Sequence, residues 1–326
     1  MTLLTKRTIV LCMALAGCAA ALPAQGAGWP ERPVTIVVPF PAGGSNDVIA
    51  RVFADRFTQI LGQTFVVENK PGANGNIGAA QVARAAPDGY MLLLSGNGHN
   101  AMNHGLYSKM PYDSRKDFSH IALLASTANA IVVAPDFPAK TFKELIALAK
   151  QGGKAVSFGS PGVGSSGHMS MVMLQQAAGL TLQHVPYRGA SPLLTDLLGG
   201  HVQLGILNVD IPLSAVKAGK LRVLAVSSAE RSPLYPDAPA IAEEGFPGFA
   251  ASGWMGLSGP PGTPAEIVAK LNDAVAKALQ DSGLKQRLAE GGYASSSGTP
   301  DSYAAFVSSE IGKWSKVAKE SGATLD

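Results

Sequence analysis

A glycine turn between an apolar run and a helical pattern is the first feature of this sequence that could do chemistry. The stretch VVPFPAGGSND places Ala42, Gly43 and Gly44 directly before the predicted helix. Backbone N–H groups at a helix start attract anions, and glycine lets a carboxylate approach them closely. No Lys-Ser or Lys-Thr follows the glycines, so the turn is not a nucleotide-binding P-loop. We expect it to hold a small anion; an ordinary tight turn is the alternative.

A second glycine turn of the same kind follows a later strand. In SPGVGSSGH, the residues Ser160, Gly164, Ser165, Ser166 and His168 offer backbone, hydroxyl and imidazole donors before another helix. One such turn is ordinary, whereas two at matching places predict a clamp that grips one ligand from two sides. Ser165 could instead only cap its helix, and a neutral His168 would offer a single donor.

Further polar side chains lie where loops follow strands, which is where ligand clefts of α/β proteins form. Asp47 either pairs with its helix start or receives an ammonium group of a ligand. Arg188 could grip a carboxylate with two hydrogen bonds or lie in solvent. The other candidates for ligand contacts follow strands or flank these turns: Phe40, Asn69, Ser95, Asn97, Gly189, Asn208 and Asp210.

Several kinds of active site are absent from the sequence. His99 and His104 are five positions apart, so they do not form the histidine pair at four-residue spacing that is typical of zinc enzymes. There is no G-x-S-x-G nucleophile elbow. Both cysteines, Cys12 and Cys18, lie near the N-terminus, so the remaining chain has no disulfide and no cysteine metal site. We expect neither a metal nor a cofactor.

The first 27 residues are predicted to be a secretory signal peptide. Lys6 and Arg7 precede an apolar segment that is too short to span a bilayer, and small residues follow it. The segment LAGC also resembles a bacterial lipobox, in which Cys18 would be lipidated. Both interpretations place the protein in the periplasm, outside the cytoplasmic membrane. The 26 basic and 23 acidic side chains nearly balance, which argues against nucleic acid as a partner.

Strands and helices alternate along the chain, and this order predicts an α/β fold with parallel sheets covered by helices. Two parts of the chain share one order: strand, glycine turn, helix, strand, turn, helix. We therefore predict two similar lobes. The predicted strands are 34–39, 65–68, 91–94, 131–134, 156–159, 182–185, 204–206 and 221–227. The predicted helices are 47–61, 76–86, 141–150, 166–178, 192–198, 264–280, 282–290 and 300–321.

The chain is predicted to cross between the lobes twice, near residues 121–130 and 223–229. Two crossings form a hinge, and the cleft between hinged lobes is a preferred ligand site. The first lobe would comprise residues 28–125 and 228–326, with the C-terminal helices completing it. The second lobe would comprise residues 126–227.

Long stretches of the sequence resemble the Bug-type extracytoplasmic solute receptors of tripartite tricarboxylate transporters. The stretches are WPERPVTIVVPFPAGGSNDVIAR, VVENKPGANGNIGAAQVARAAPDGYMLLL, VSFGSPGVGSSGHM, VPYRGASPLLTDLLGGHVQLGI and GKLRVLAVSSAERSPLYPDAPAIAEEGFPGF, and the resemblance extends from Trp29 to the C-terminus. It implies a two-lobed, type II-like periplasmic binding protein with its ligand cleft between the lobes. It also implies a small organic carboxylate as ligand and membrane transporter subunits as partners.

The resemblance bears on individual site residues as well. The family's loop at the second glycine turn contacts ligand, which implies this role for Ser165 and Ser166. The segment LNVDIPLSAVKAG differs from the sequence that is usual in the family at this point, so the roles of Asn208 and Asp210 stay open. We expect a monomer that is not an enzyme. The alternatives are a secreted hydrolase that uses Ser166 with His168, and a sensor that passes its ligand-bound state to a signalling partner.

Overall fold

The computed structural model describes residues 28–151, 156–295 and 298–325. The predicted signal peptide and the possible lipidation site Cys18 lie outside the described residues. Within these three ranges, no helix has the length and apolarity needed to cross a bilayer. No group of His, Cys, Asp and Glu side chains in the same ranges has the arrangement of a metal site.

Strands and helices alternate through most of the described chain. In chain order the strands are β1 (Val34–Val38), β2 (Phe65–Asn69), β3 (Met91–Gly96), β4 (Ser119–Thr127), β5 (Asn129–Val133), β6 (Ser157–Ser160), β7 (Gln183–Pro186), β8 (Leu204–Asn208), β9 (Arg222–Val226), β10 (Gly253–Gly259) and β11 (Tyr293–Ala294). The helices are α1 (Ser45–Leu61), α2 (Asn76–Ala83), α3 (Asn103–Leu106), α4 (Phe142–Lys150), α5 (Ser166–Ala178), α6 (Ala190–Leu198), α7 (Leu213–Lys217), α8 (Ala265–Ala278), α9 (Ser282–Glu290) and α10 (Pro300–Ser321). Short 3₁₀ turns form at Ala73–Gly75 and Ile241–Glu244, and a π-helical turn at Gly98–Met102 precedes α3.

Six strands form the sheet of the first lobe, in the order β11-β4-β10-β3-β1-β2. Strand β1 runs parallel to β2 and β3, as predicted. Strand β10 runs antiparallel to both β3 and β4. The sheet is mixed where the sequence predicted a parallel one, because β10, which the sequence analysis did not recognise as a strand, runs opposite to β3 and β4, and the short β11 runs opposite to β4.

Five strands form the sheet of the second lobe, in the order β7-β6-β8-β5-β9. Strand β6 runs parallel to β7 and β8, whereas β5 runs antiparallel to β8 and β9. This sheet is also mixed, because β5 receives the chain directly from the first lobe and cannot share the direction of the βαβ units beside it. The predicted α/β class and the two lobes are confirmed.

The chain crosses between the two sheets at closely spaced points. Strand β4 ends at Thr127 and β5 begins at Asn129, so the first crossing is a single residue. The second crossing leaves β9 and enters β10. Asn129 N donates to Ser227 Oγ at 2.9 Å, and Ser227 Oγ donates to the Ala251 carbonyl at 2.6 Å. These hydrogen bonds join the two crossings side by side, as a hinge requires. We keep 28–125 with 228–326, and 126–227, as the proposed extents of the lobes.

Helix α10 packs against both lobes and not only against the first. Its buried Trp314 belongs to one apolar cluster with Phe158 of the second lobe and Met102 of the first. Glu310 accepts hydrogen bonds from the indole N–H groups of Trp254 and Trp314, at 3.1 and 2.8 Å. The C-terminal helix thus joins the two lobes, and the residues that follow it reach the second glycine turn, where Leu325 lies beside Gly164.

Candidate ligand-binding cleft

The first glycine turn leads into α1 as the sequence predicts. Gly43 has a φ of +84°, which favours glycine, and Gly44 caps the helix with extended backbone. The N–H of Gly43 donates to Asp47 Oδ2 at 3.0 Å, so this group is not available to a ligand. The N–H groups of Gly44, Ser45 and Asn46 make no hydrogen bond to the described residues. The open end of α1 therefore offers three backbone donors, beside the exposed Ala42.

Asp47 is fully engaged in holding this turn in place. Besides the N–H of Gly43, its carboxylate accepts hydrogen bonds from Arg51 Nε and Asn69 Nδ2, both at 3.0 Å. Burial acts to raise the pKa of Asp47, but these hydrogen bonds outweigh it and the pKa lies below its usual value. Asn69 Nδ2 also donates to the carbonyl of Phe40 at 3.1 Å. The geometry favours helix-start pairing for Asp47, and it makes Asn69 a brace between β2 and the turn.

The second glycine turn is held by two stacked histidines. The rings of His168 and His184 stack with centroids 4.1 Å apart. Gly164 N donates to His168 Nδ1 at 3.1 Å, and Ser160 Oγ lies 2.6 Å from His184 Nε2. Ser165 Oγ accepts from the N–H of His168 at 3.2 Å, which is the capping role considered as the alternative. His168 thus supports the turn from behind.

Burial favours the neutral form of both imidazoles. Burial lowers the pKa of His168 to about 3, and the neighbouring ring of His184 contributes. Burial also lowers the pKa of His184 to about 4. A neutral His168 can accept the hydrogen bond from Gly164, and a protonated one cannot. The backbone N–H groups of Ser166 and Gly167, at the open end of α5, make no hydrogen bond to the described residues.

The two helix starts meet at one side chain. Ser166 Oγ lies 3.4 Å from Asn208 Oδ1, and Asn208 Nδ2 donates to Ser45 Oγ at 3.1 Å. Ser45 and Ser166 are the first residues of α1 and α5, so a single amide joins the N-terminal ends of a helix from each lobe. The two predicted turns therefore border a common crevice between the lobes, which we call the cleft.

Asp210 reaches across the cleft from the second lobe. Its two oxygens lie 3.0 and 2.9 Å from Ser45 Oγ, and the hydroxyl of Tyr293 donates to Oδ2 at 2.5 Å. Burial raises the pKa of Asp210, although the hydrogen bonds from Tyr293 and Ser45 act in the other direction. Tyr293 was not among the predicted site residues. It lies 83 positions from Asp210 in β11, and nothing local in the sequence marks it.

Asn97 brings an unused donor to the same region. Its side chain is 92% buried, and its Nδ2 has no hydrogen-bond partner among the described residues. The adjacent Gly98 faces the ring of Phe40 and the amide of Asn74, since a Cβ built on it would lie within 4 Å of both. Asn74, also missed in the sequence analysis, donates to the Gly164 carbonyl at 3.2 Å and so joins the lobes at a second point.

Three other predicted site residues lie away from the cleft donors. Ser95 is fully buried, and its hydroxyl pairs with Tyr303 Oη at 2.7 Å in the interior of the first lobe. Arg188 is exposed and makes no ion pair or hydrogen bond with the described residues. Gly189 immediately precedes α6 and has a φ of +127°, a backbone conformation that favours glycine whether or not a ligand binds there.

Ser166 and His168 are not arranged as a nucleophile and its base. The hydroxyl of Ser166 lies beside two amides, at 3.2 Å from Asn129 Oδ1 and 3.4 Å from Asn208 Oδ1. Nδ1 of His168 is occupied by the N–H of Gly164. A general base has to lie within hydrogen-bond reach of the proton it removes. The Ser166 hydroxyl instead lies beside two amide oxygens, which are too weakly basic to remove its proton.

A surface cavity of about 470 Å³ lies on the first lobe, away from the cleft. It is lined by residues of β4, α8 and the start of α10, such as His120, Asn272 and Asp301, and by none of the predicted site residues. His120 is buried and hydrogen-bonded to Ser258 and Ser114, and Asp301 is exposed. This cavity contains neither glycine turn, whereas the cleft lies between the two turns, so we propose the cleft as the ligand site.

Two α/β lobes, joined by two crossings and facing each other across helix starts, define the class of periplasmic binding proteins. The family of tripartite tricarboxylate transporter receptors matches residues 49–323, and the chain belongs to this family. It is similar to protein BugT of Bordetella pertussis, with 35% identity over 99% of both chains.

Solved structures agree with this assignment. The chain is similar to Rpa4515 of R. palustris, determined with adipate, at 38% identity and a TM-score of 0.85, covering 90% of this chain and 99% of that one. It is also similar to MatC of Rhodopseudomonas palustris, determined with malate, at 33% identity and a TM-score of 0.81, covering 89% and 99%. The resemblance to Bug-type receptors is thereby confirmed.

Proposed function

We propose that this protein is a periplasmic receptor that holds a small organic carboxylate in the cleft and delivers it to a membrane transporter of the tripartite tricarboxylate type. The observation that carries the proposal is the bridge through Asn208, which brings the open ends of α1 and α5 to one point. Helix starts are anion sites, because their N–H groups lack partners and the helix dipole favours negative charge. The ligands of the two structural relatives, adipate and malate, are carboxylates.

The free donors of the cleft match what a carboxylate requires. Backbone N–H groups are free at Gly44, Ser45 and Asn46 on one side and at Ser166 and Gly167 on the other. The amide of Asn97 adds another donor. A hydrogen bond to a charged group contributes about 1.5 to 3 kcal/mol. Four such bonds would supply the roughly 8 kcal/mol of a micromolar complex, and bridging waters can serve some of them.

Binding is proposed to proceed by closure of the lobes about the hinge. A ligand first meets the donors of one helix start, and rotation at Ala128 and near Ser227 then brings up the other. The hinge touches the site directly, because Ser166 Oγ donates to Asn129 Oδ1 at 3.2 Å. The ligand leaves chemically unchanged, since Ser166 has no base beside it. We propose that the receptor acts as a monomer after removal of its leader.

The test replaces Gly44, whose backbone must be approached by the ligand. Gly44 has a φ of −89° and open space where a Cβ would lie, so a Gly44→Val variant should fold. The valine side chain would cover the start of α1 and block a carboxylate. Gly312→Val is the matched control, because Gly312 also has open space around it and lies in α10, away from the cleft.

Thermal unfolding is measured with a panel of dicarboxylates, acidic amino acids and aromatic acids. A bound ligand raises the unfolding temperature by mass action. We expect at least one acid to stabilise the wild type and Gly312→Val, and to bind Gly44→Val at least tenfold more weakly. Equal affinity for all three proteins, measured by calorimetry, would remove the helix start from the site.

A further inference from the structure

The charges that border the cleft are few and of one sign. The residues that border the two helix starts include Gly44, Ser45, Asn46, Asp47, Asn97, Ser165, Ser166, Asn208, Asp210 and Tyr293. Two of them carry a formal charge, Asp47 and Asp210, and of these two only Asp47 has a cation beside it. In the described ranges, no Lys, Arg or His nitrogen lies within 4.0 Å of the Asp210 oxygens, although ion pairs at that distance do occur elsewhere in the chain.

The other charged candidates near the cleft are already neutralised or face solvent. Asp47 is paired with Arg51 at 3.0 Å. Arg188 is exposed. Among the described residues that border the cleft, none therefore supplies a fixed cation to balance a ligand of charge −2, and Asp210 adds a negative charge without an ion pair.

Neutral donors hold the carboxylate of Asp210 in a fixed position. Asn208 Nδ2 donates to Ser45 Oγ, so the hydroxyl proton of Ser45 is directed to Asp210. Tyr293 donates to Oδ2. The backbone N–H groups of Asp210 and Ile211 also act on this carboxylate and lower its pKa. The raised pKa of Asp210 is that of a buried carboxylate that lacks a cation.

We propose that Asp210 determines the class of ligand, by favouring a molecule that carries an ammonium group as well as a carboxylate. The carboxylate of such a ligand would take the free N–H groups of the helix starts, and its ammonium group would lie beside the carboxylate of Asp210, which has no cation of the protein as a partner. A dicarboxylate of the same length would place its second negative charge near Asp210 instead. This inference rests on the proposed function.

The experiment compares three matched pairs of probes by calorimetry at pH 7.5. Each pair differs by exchange of one carboxylate for an ammonium group: succinate with 3-aminopropanoate, glutarate with 4-aminobutanoate, and adipate with 5-aminopentanoate. In the wild type we expect the amino acid of at least one pair to bind tenfold or more tighter than its dicarboxylate. Tighter binding of the dicarboxylate in every pair that binds overturns the inference and leaves a carboxylate receptor in place.

Substitution of Asp210 identifies the residue responsible. Asp210→Asn keeps the shape and an acceptor for Ser45 but removes the charge. We expect the affinity for the amino acid to fall about 10- to 100-fold, as for loss of one charge-assisted hydrogen bond, while the dicarboxylate binds no more weakly. Asp136→Asn, an exposed acid of the second lobe, is the control and should leave both affinities unchanged.

Each remaining outcome is informative. An unchanged preference in Asp210→Asn overturns the assignment to this residue. If Asp210→Asn does not fold, the wild-type ratios decide alone. Failure of the wild type to bind any of the six probes also overturns the inference. Failure of every acid in the broader thermal panel, by contrast, counts against the carboxylate receptor itself.

Discussion

Neutral His168 should make both the fold and the second glycine turn sensitive to acid. Its Nδ1 accepts the N–H of Gly164 while its ring stacks on His184. The decisive change is His168→Asn, because the Oδ1 of asparagine lies at about the position of Nδ1 and can accept the same hydrogen bond. Asparagine does not titrate in this range. The variant loses the ring stack, so we expect it to be about 1 kcal/mol less stable at neutral pH.

The pH dependence of the free energy of unfolding separates the effect of protonating His168 from the effect of losing its ring stack. The pKa of His168 is about 3 in the folded protein and near 6.5 in the unfolded chain. A histidine with a depressed folded pKa stabilises the native state above pH 6.5, and this contribution is lost as the pH falls. Between pH 6.5 and 4.5 only the unfolded chain takes up the proton, which costs about 1.4 kcal/mol per pH unit. The free energy of unfolding should therefore fall by about 3 kcal/mol less in His168→Asn than in the wild type.

The measurement is urea unfolding at pH 7.5 and 4.5, followed by tryptophan fluorescence and circular dichroism. His201→Asn is the matched control, because His201 is an exposed histidine of the same lobe. Wild type and control should lose the same stability on acidification, and His168→Asn clearly less. An identical loss in all three proteins would mean that His168 is already charged in the native state, contrary to its buried, accepting role.

Two further substitutions test other contacts. Gly256→Ala should destabilise the protein by about 3 kcal/mol or more. The reason is that a Cβ at this position would lie 2.0 Å from Tyr303 Oη and 2.8 Å from the Ala122 carbonyl. An unchanged unfolding temperature would contradict this packing. Asn97→Leu should weaken ligand binding at least tenfold without loss of stability, since the Asn97 amide is buried and unpartnered in the free protein. Calorimetry and thermal unfolding of the variant decide, and full affinity would exclude Asn97 from the site.

Local sequence signals predicted the elements that carry the glycine turns. Helix α5 has the predicted bounds, because Ser165 caps its start and Gly179, with a φ of +63°, ends it. The α10 bounds were also predicted, since Thr299 caps the helix and Pro300 begins it. In both helices one short stretch of chain contains the start signal, the apolar face and the stop signal.

Strand β10 was not predicted, and the reason is tertiary. Its sequence GWMGLSG contains glycines at 253, 256 and 259, which favour a loop when read locally. Gly256 is required because Tyr303 packs against its backbone. The sheet then pairs this strand on both sides, with β3 and β4. The partner that explains the glycine lies almost 50 residues further on, so no local pattern reveals it.

The candidate site residues show the same contrast between local sequence signals and contacts that are distant in sequence. Gly44, Ser166 and Asn208 were predicted as ligand contacts from their positions after strands; the structure places Ser166 and Asn208 3.4 Å apart between the lobes, and their role in binding stays a prediction. Tyr293 and Asn74 were missed, because they meet the site through contacts distant in sequence. Asn74 stands in PGANG, whose glycines mark a turn but do not tell which side of it faces the other lobe.

Helix α10 has a consequence for any attempt to divide this receptor. Cutting at the two crossings would release a fragment, 129–226, whose apolar face is normally covered by Trp314 and its neighbours. That fragment would expose a large apolar surface to water and should aggregate. A two-piece biosensor built on this scaffold would have to carry the last helix along with the smaller sheet, and a C-terminal fusion would lie close to the second glycine turn, because Leu325 lies beside Gly164.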